Sequence, residues 1–173
     1  MDIASLSHLH TVYLDPDTDA LVILDQTQLP RRTVYLSLTK PADIRQAIYQ
    51  LQVRGAPAIG VAAAIGIYLA AKEIRADTYH AFYQQFRIAK ADLAAARPTA
   101  VNLQWALDRM ERVVQAHASS PVSCIVDALK REALRTQQED TDVCHAIGEH
   151  GLTLLHDGDG ILTHCNAGQL AAT

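Results

Sequence analysis

The 173-residue sequence predicts an α+β fold, in which a small antiparallel sheet is followed by a helical bundle and then by one more strand. Three observations predict this order. Short apolar runs separated by turn residues occupy positions 1–38, helical periodicity extends over 39–156, and a glycine-rich turn leads into a final apolar run within 157–173. We assign 1–38 and 39–156 to one domain and 157–173 to the beginning of another.

Three strands are predicted in the first segment, at 11–14, 20–24 and 33–36. The first two flank the run Asp-Pro-Asp-Thr-Asp at 15–19, whose residues favour a tight turn. The third strand follows a loop that contains Pro30. Consecutive strands joined by short connections predict an antiparallel sheet.

The first predicted helix begins with Thr39 as its N-cap. Its buried stripe has the i, i+3, i+4, i+7 spacing of one helical face and consists of Ile44, Ala47, Ile48 and Leu51. Five further helices are predicted to begin near capping residues or prolines. Their predicted starts are Pro57, Thr78, Thr99, Pro121 and either Asp140 or Thr141, and the last helix ends near His156.

The second helix, predicted to run from Pro57 to Arg75, is expected at the centre of the bundle. Alanine and glycine dominate it, and 55–71 carries no charge. A membrane span is the less favoured interpretation, because the segment is short for a bilayer and poor in leucine and phenylalanine. In the fourth helix, Trp105 lies among apolar positions and is predicted to belong to the core.

Bulk composition excludes several classes of protein. The net charge of −4 argues against a nucleic-acid surface, which would require a basic face. Cys124, Cys144 and Cys165 show no disulfide spacing, and no secretory signal precedes the first strand. A protein with reduced thiols in the cytoplasm, without a membrane partner, is therefore expected.

An anion site is one of two interpretations of the run Arg54-Gly55-Ala56-Pro57. A helix N-terminus offers free N–H groups, glycine allows close approach, and arginine can bind phosphate through two donors. The alternative is a tight turn with Arg54 paired to a carboxylate. Arg97 stands before another helix start, where Thr99 is the predicted N-cap, and two such arginines make an anion site more plausible.

Cys165 is the candidate reactive residue. It is predicted to lie at the end of the strand 160–164, where α/β sheets place their ligand crevices. A helix beginning near Asn166 or Gly168 would stabilise a thiolate, whereas the alternative is a buried, unreactive cysteine. The pairs Cys144-His145 and His164-Cys165 fit no zinc signature, so no metal is predicted.

Four motifs in this order carry a family resemblance. They are Asp25-Gln26-Thr27-Gln28-Leu29-Pro30, Arg54-Gly55-Ala56-Pro57-Ala58-Ile59-Gly60, Arg97-Pro98-Thr99-Ala100-Val101-Asn102-Leu103 and Thr163-His164-Cys165-Asn166-Ala167-Gly168. Together they resemble the methylthioribose-1-phosphate isomerase family of methionine salvage. The resemblance extends over the whole chain and is loosest after Gly168.

The resemblance implies an aldose–ketose isomerase without a cofactor, converting 5-methylthioribose 1-phosphate to 5-methylthioribulose 1-phosphate. It implies that Arg54, Gly55, Ala56 and Arg97 contact the substrate, chiefly its phosphate, and that Cys165 is catalytic. Family members are about twice as long as this chain and add a C-terminal Rossmann-like domain, which supplies an acid/base aspartate. The strand 160–164 would begin that domain, so we expect a truncated chain that is inactive alone and a homodimer when complete.

Two alternatives remain open at the level of sequence. One is a related isomerase acting on ribose 1,5-bisphosphate, since part of the pocket for the methylthio group would lie in the absent half. The other is a non-catalytic regulatory or assembly module, because the regulatory subunits of the guanine-nucleotide exchange factor for translation initiation have a similar architecture. The joint presence of Arg54, Arg97 and Cys165 favours the enzyme.

Overall fold

The chain forms a three-stranded sheet and a helical bundle, described by a computed structural model for residues 10–165 and 167–173. The strands are β1 (Val12–Asp15), β2 (Ala20–Leu24) and β3 (Tyr35–Leu38). The helices are α1 (Pro41–Tyr49), α2 (Ala56–Glu73), α3 (Tyr79–Ala94), α4 (Val101–Ala116) and α5 (Val122–Leu152), followed by a 3₁₀ turn at Gln169–Ala171. The predicted α+β class is confirmed.

The sheet is antiparallel in the order β1-β2-β3, as the turn-separated apolar runs predicted. Every residue of the central strand β2 is buried. The third strand begins two residues later than predicted because pairing sets its register: Leu24 lies opposite Tyr35, and Leu21 lies opposite Leu38. The fold therefore buries one strand completely and uses the other two to cover its edges.

Helix α2 is the centre of the molecule, as predicted. It packs against the four other helices and against β1 and β2, and its residues from Ala58 to Ala71 are all buried. Its length of 18 residues and its mean hydropathy of 1.3 would by themselves permit a membrane span, but 78 % of it is buried inside the fold. The absence of charge over 55–71 thus reflects a core helix whose small residues let its neighbours approach closely.

Two predicted N-caps are wrong. Helix α1 begins after Lys40 rather than Thr39, because Pro41 occupies its first turn and fixes the backbone there. Helix α4 begins after Ala100 rather than Thr99. The N–H of Ala100 donates to the carbonyl of Arg97 at 3.0 Å, so 97–100 forms a turn and the helix starts one residue further on.

The predicted fifth and sixth helices are one continuous helix, α5. Asp140 and Thr141 lie inside it rather than at a cap. The hydroxyl of Thr141 donates to the carbonyl of Gln137 one turn earlier at 3.3 Å, and the carboxylate of Asp140 accepts from Thr173. Residues that favour helix caps therefore lie inside a helix here, because their side chains form hydrogen bonds with other groups.

Two other expectations are wrong. Residues 160–164 form no strand, since no other strand of the described chain lies beside them to pair with. Trp105 is not a core residue: its side chain is 47 % exposed. The guanidinium of Arg109 lies over its ring, 5.5 Å from the ring centre, so the indole contacts a cation at the surface.

Candidate active site

A glycine begins the central helix and forms the base of a cleft. Gly55 is the N-cap of α2 and has a φ of +89°, a conformation that favours glycine. It also lies against Ala171, so closely that an added Cβ would stand 2.3 Å from the Cα of Ala171. Both the backbone conformation and the close approach require the glycine.

The cleft has a volume of about 680 Å³ and contains every predicted site residue. Three separate segments line it: the loop before α2, the turn before α4, and the stretch that leads to the 3₁₀ turn. The predicted residues on its walls are Arg54, Gly55, Ala56, Arg97 and Cys165. Residues that are far apart in sequence thus share one site, while their individual roles stay predictions.

The charge of the cleft is uniformly positive among the described residues that line it. Arg54 is exposed and Arg97 is half-buried, and neither forms an ion pair within the described part of the chain. The interpretation of Arg54 as the partner of a nearby carboxylate is therefore wrong for this structure. Two unopposed guanidinium groups beside a helix N-terminus suit a phosphate, which accepts paired hydrogen bonds and carries the opposite charge.

Cys165 lies at the wall of the cleft next to His164. It is exposed, so the interpretation as a buried cysteine is wrong. Its φ of +61° belongs to the left-handed region, so the backbone makes a sharp bend at this residue. The expected helix at Gly168 is a 3₁₀ turn of three residues, too short for a substantial dipole, and Asn166 lies outside the described residues.

A C-terminal segment, residues 169–173, closes one side of the cleft. The hydroxyl of Thr11 donates to the carbonyl of Gln169 at 2.9 Å, and the amide of Gln26 donates to the carbonyl of Leu170 at 2.7 Å. Thr173 donates from its N–H to Asp140 at 2.9 Å. The segment is thus anchored both to α5 and to residues that flank β1 and β2.

Asp25 links both sides of this arrangement. Its buried carboxylate accepts from the N–H and hydroxyl of Thr27, at 3.0 and 2.6 Å, and from the amide of Gln52 at 3.1 Å. The N–H of Gln26 donates in turn to the carbonyl of Gln52 at 2.9 Å. The loop that carries Arg54 and the segment that follows Cys165 therefore share one hydrogen-bonded support.

Sequence reasoning missed both this support and part of the cleft wall. It used the motif at 25–30 only for the resemblance, although two polar residues directly after a buried strand already suggest a buried polar contact. Thr99, Asn102 and His164 also line the cleft. The first two belong to the same motif as Arg97, so their nearness to it was a usable signal.

The chain belongs to the Initiation factor 2 subunit family, which matches residues 52–173. Relatives of this chain carry more than one protein name. A methylthioribose-1-phosphate isomerase of Symbiobacterium thermophilum is 53 % identical over 163 residues, or 94 % of this chain and 45 % of its own length. A 5-deoxyribose 1-phosphate isomerase of Bacillus thuringiensis is 50 % identical over 155 residues, or 90 % of this chain and 45 % of its own.

The similar solved structures also carry two names, an isomerase and a translation initiation factor subunit. The crystal structure of 5-methylthioribose 1-phosphate isomerase from Pyrococcus horikoshii matches with a TM-score of 0.89 and 36 % identity, over 99 % of this chain and 48 % of that one. The translation initiation factor eIF-2B, subunit delta, from A. fulgidus matches with a TM-score of 0.83, also at 36 % identity, over 95 % of this chain and 47 % of that one. The chain spans about half the length of the curated relatives it matches.

Proposed function

We propose that this chain is the phosphate-binding half of an aldose–ketose isomerase that converts 5-methylthioribose 1-phosphate to 5-methylthioribulose 1-phosphate. One observation carries the proposal: the cleft combines an exposed thiol, a helix N-terminus and two arginines that form no ion pair with any described residue. The names of relatives that are 48–53 % identical support the isomerase. The eIF-2B structure is 36 % identical to this chain, as is the Pyrococcus horikoshii isomerase, but a purely regulatory module needs no such combination.

The chemistry explains the residue types. A phosphate on the anomeric carbon blocks spontaneous ring opening, so a proton must be delivered to the ring oxygen. A hydrogen must then move from C2 to C1, with no net oxidation of the sugar. Arg54 and Arg97 would bind the phosphate and hold the reacting carbons beside Cys165, whose thiol would exchange a proton there. The second half of the enzyme would supply the carboxylate that acts with it.

The substrate class follows from where the phosphate binds. The described cleft recognises the phosphate end, and relatives at 50 % identity are named for 5-deoxyribose 1-phosphate, which differs only at C5. We therefore include 5-deoxyribose 1-phosphate as a second candidate substrate. No observation favours ribose 1,5-bisphosphate. All three cysteines are free and exposed, which suits the cytoplasm, and we propose a homodimer for the complete enzyme.

Calorimetry with methylthioribose 1-phosphate tests the binding half of the proposal. Arg54→Ala and Arg97→Ala should each weaken binding by about tenfold or more, since each removes a charge-assisted contact. The matched control is Arg75→Ala, because Arg75 is exposed just beyond the opposite end of α2. Equal affinity in the Arg54, Arg97 and control variants would overturn the phosphate site.

Measurement of turnover tests the catalytic part of the proposal. The chain should be inactive alone and active when followed by the remainder of the Symbiobacterium thermophilum relative. In that fused chain, Cys165→Ala should abolish turnover while leaving calorimetric binding unchanged. Turnover by the 173 residues alone would disprove the two-part enzyme, and an active Cys165→Ala variant would remove the catalytic role of the thiol.

A further inference from the structure

Gln26 forms hydrogen bonds with both sides of the cleft. Its side-chain amide donates to the carbonyl of Leu170 at 2.7 Å, and its backbone N–H donates to the carbonyl of Gln52 at 2.9 Å. The first bond holds the segment that follows Cys165, and the second holds the loop that carries Arg54. A single residue therefore joins two of the three stretches of chain that line the cleft.

The support around Gln26 is buried and has little freedom to rearrange. Gln26 is 8 % exposed and Asp25 is 4 % exposed. The amide of Gln52 donates to the carboxylate of Asp25 at 3.1 Å, so Gln52 is held through its side chain as well as its backbone. A buried polar group that loses its partner is costly. The support therefore keeps the beginning of the Arg54 loop in one arrangement.

The backbone turns sharply on both sides of this support. Leu51 and Cys165 each have a φ of +61°, and both line the cleft. A residue other than glycine keeps this conformation only where surrounding contacts hold it, and such residues cluster at active sites. Leu51 directly precedes Gln52, and Cys165 lies five residues before Leu170. The bonds of Gln26 therefore act close to both sharp turns.

The proposed reaction requires these two sides to be aligned. Arg54 would fix the phosphate of the sugar, and the thiol of Cys165 would have to meet the carbons beside it. Proton exchange needs the reacting atoms within about 3.5 Å of each other, and a misplacement of about 1 Å costs roughly a hundredfold in rate. Gln26 is not among the described residues that line the cleft, so it acts on a ligand only through residues that do.

We infer that Gln26 is a positioning residue, which sets the distance between the phosphate-binding arginine and the thiol of Cys165. The inference deepens the proposed isomerase and rests on it. A thiol on a loosely held segment would sample many positions relative to a bound phosphate. The two bonds of Gln26 confine it to one, so they contribute to the rate of the chemical step rather than to substrate affinity.

Alkylation of Cys165 by two reagents measures this alignment in the 173-residue chain. Iodoacetate carries a carboxylate, whereas iodoacetamide is neutral and of nearly the same size. The arginines of the cleft attract the anion, so the ratio of the iodoacetate rate to the iodoacetamide rate should be about tenfold higher at Cys165 than at Cys124. Cys124 is exposed on α5 and serves as the internal reference. Mass spectrometry of the peptides gives all four rates.

Substitution of Gln26 should remove much of this preference for the anion. Gln26→Ala should lower the preference at Cys165 about fivefold or more, because the segment is no longer tied to the Arg54 loop. Gln26→Met keeps the volume of the side chain without its donor and should have the same effect, which guards against a variant that fails to fold.

Two control variants separate alignment from general loosening. Gln28→Ala should leave the preference unchanged, because the amide of Gln28 reaches only Thr27. Thr173→Ala loosens the same segment at its other end, where the hydroxyl of Thr173 donates to Asp140 at 2.9 Å. It should speed amide exchange over 171–173 and leave the preference at Cys165 unchanged.

The kinetic constants of the fused chain give a second readout. In the chain followed by the remainder of the Symbiobacterium thermophilum relative, Gln26→Ala should lower kcat about tenfold or more. The calorimetric Kd of methylthioribose 1-phosphate should stay within about twofold of the unaltered value. A residue that only stabilised the fold would change neither constant, so an unchanged kcat would contradict the positioning role.

Each outcome bears on the inference separately from the proposed function. Equal preference in Gln26→Ala and the unaltered chain would overturn the inference even if Arg54 and Arg97 bind the substrate. No preference in the unaltered chain, or an equal loss in Thr173→Ala, would overturn it as well. A preference that depends on Gln26, found in a chain whose fused form isomerises no sugar phosphate, would support the alignment and remove the proposed function.

Discussion

The two ends of helix α2 differ in whether the charged side chains beside them are paired. At its far end, the carboxylate of Asp19 accepts from the hydroxyl of Tyr68 at 2.8 Å and from the ammonium groups of Lys72 and Lys130 at 2.5 and 2.8 Å. At its start, Gly55 meets the backbone of the C-terminal segment, while the guanidinium of Arg54 has no carboxylate partner among the described residues. Charge is satisfied where the helix is anchored and left free where a ligand would bind.

The largest effect should come from filling the space at the start of α2. Gly55→Ala should lower the free energy of unfolding by about 3 kcal/mol, because the new Cβ meets a backbone atom and the φ is strained. Gly158→Ala is the matched control: its φ is also positive, +90°, but no atom lies within 4 Å of its added Cβ. It should cost about 1 kcal/mol, and equal losses in chemical denaturation would contradict the close packing against Ala171.

The anchored end should give a smaller, pH-dependent effect. Burial raises the pKa of Asp19, but hydrogen bonds from Lys130, Lys72 and Tyr68 outweigh it and lower the pKa from 3.8 to about 2. Because the folded pKa is depressed, the stabilisation is complete above about pH 4 and is lost as the pH falls towards 2. Asp19→Asn should therefore cost about 1–2 kcal/mol at neutral pH, after allowance for the partly exposed lysines.

Denaturation at several pH values checks this assignment. The difference between Asp19→Asn and the unaltered chain should shrink between pH 4 and pH 2. Asp17→Asn, in the same turn but exposed, should change stability little at any pH. A constant difference across this range would show that Asp19 acts through packing rather than through its charge.

The smallest effect should come from the support beneath the C-terminal segment. Gln26→Ala removes the donor to the carbonyl of Leu170, which is worth about 1 kcal/mol, and should therefore speed amide hydrogen exchange over 169–173 about fivefold. Gln28→Ala should not, because Gln28 is exposed and its amide reaches only Thr27, at 3.3 Å. Unchanged exchange in Gln26→Ala would mean that Thr11 and Asp140 hold the segment without it.

The sequence predicted those elements that local rules control. Ile44, Ala47 and Ile48 of the predicted stripe are buried as periodicity required. Its fourth member is a wrong prediction, because Leu51 lies beyond the end of α1 and is 37 % exposed. The uncharged run of α2 is buried from Ala58 to Ala71. Cap residues were less reliable. Thr39, Thr99 and Asp140 can all cap a helix, but a proline, a preceding turn and a distant threonine decided how they are used.

The cleft itself was predictable only residue by residue. Its members were recognised as Arg54, Gly55, Ala56, Arg97 and Cys165, and all five line one cavity. What no local pattern could supply was the contact between them, because the hydrogen bonds from Thr11 and Gln26 span 158 and 144 residues of sequence. Long-range contacts of this kind depend on the assembled fold rather than on spacing.

The central position of α2 has a consequence for how the protein is made. Its 18 residues leave the ribosome before α3, α4 and α5, and the turn that closes its start lies at Gln169–Ala171. An apolar helix with a mean hydropathy of 1.3 is therefore only partly covered, by β1, β2 and α1, until the helices that follow it have been made. The core is completed only after α5 has been made, so chaperones that hold apolar segments during synthesis should be recruited by α2.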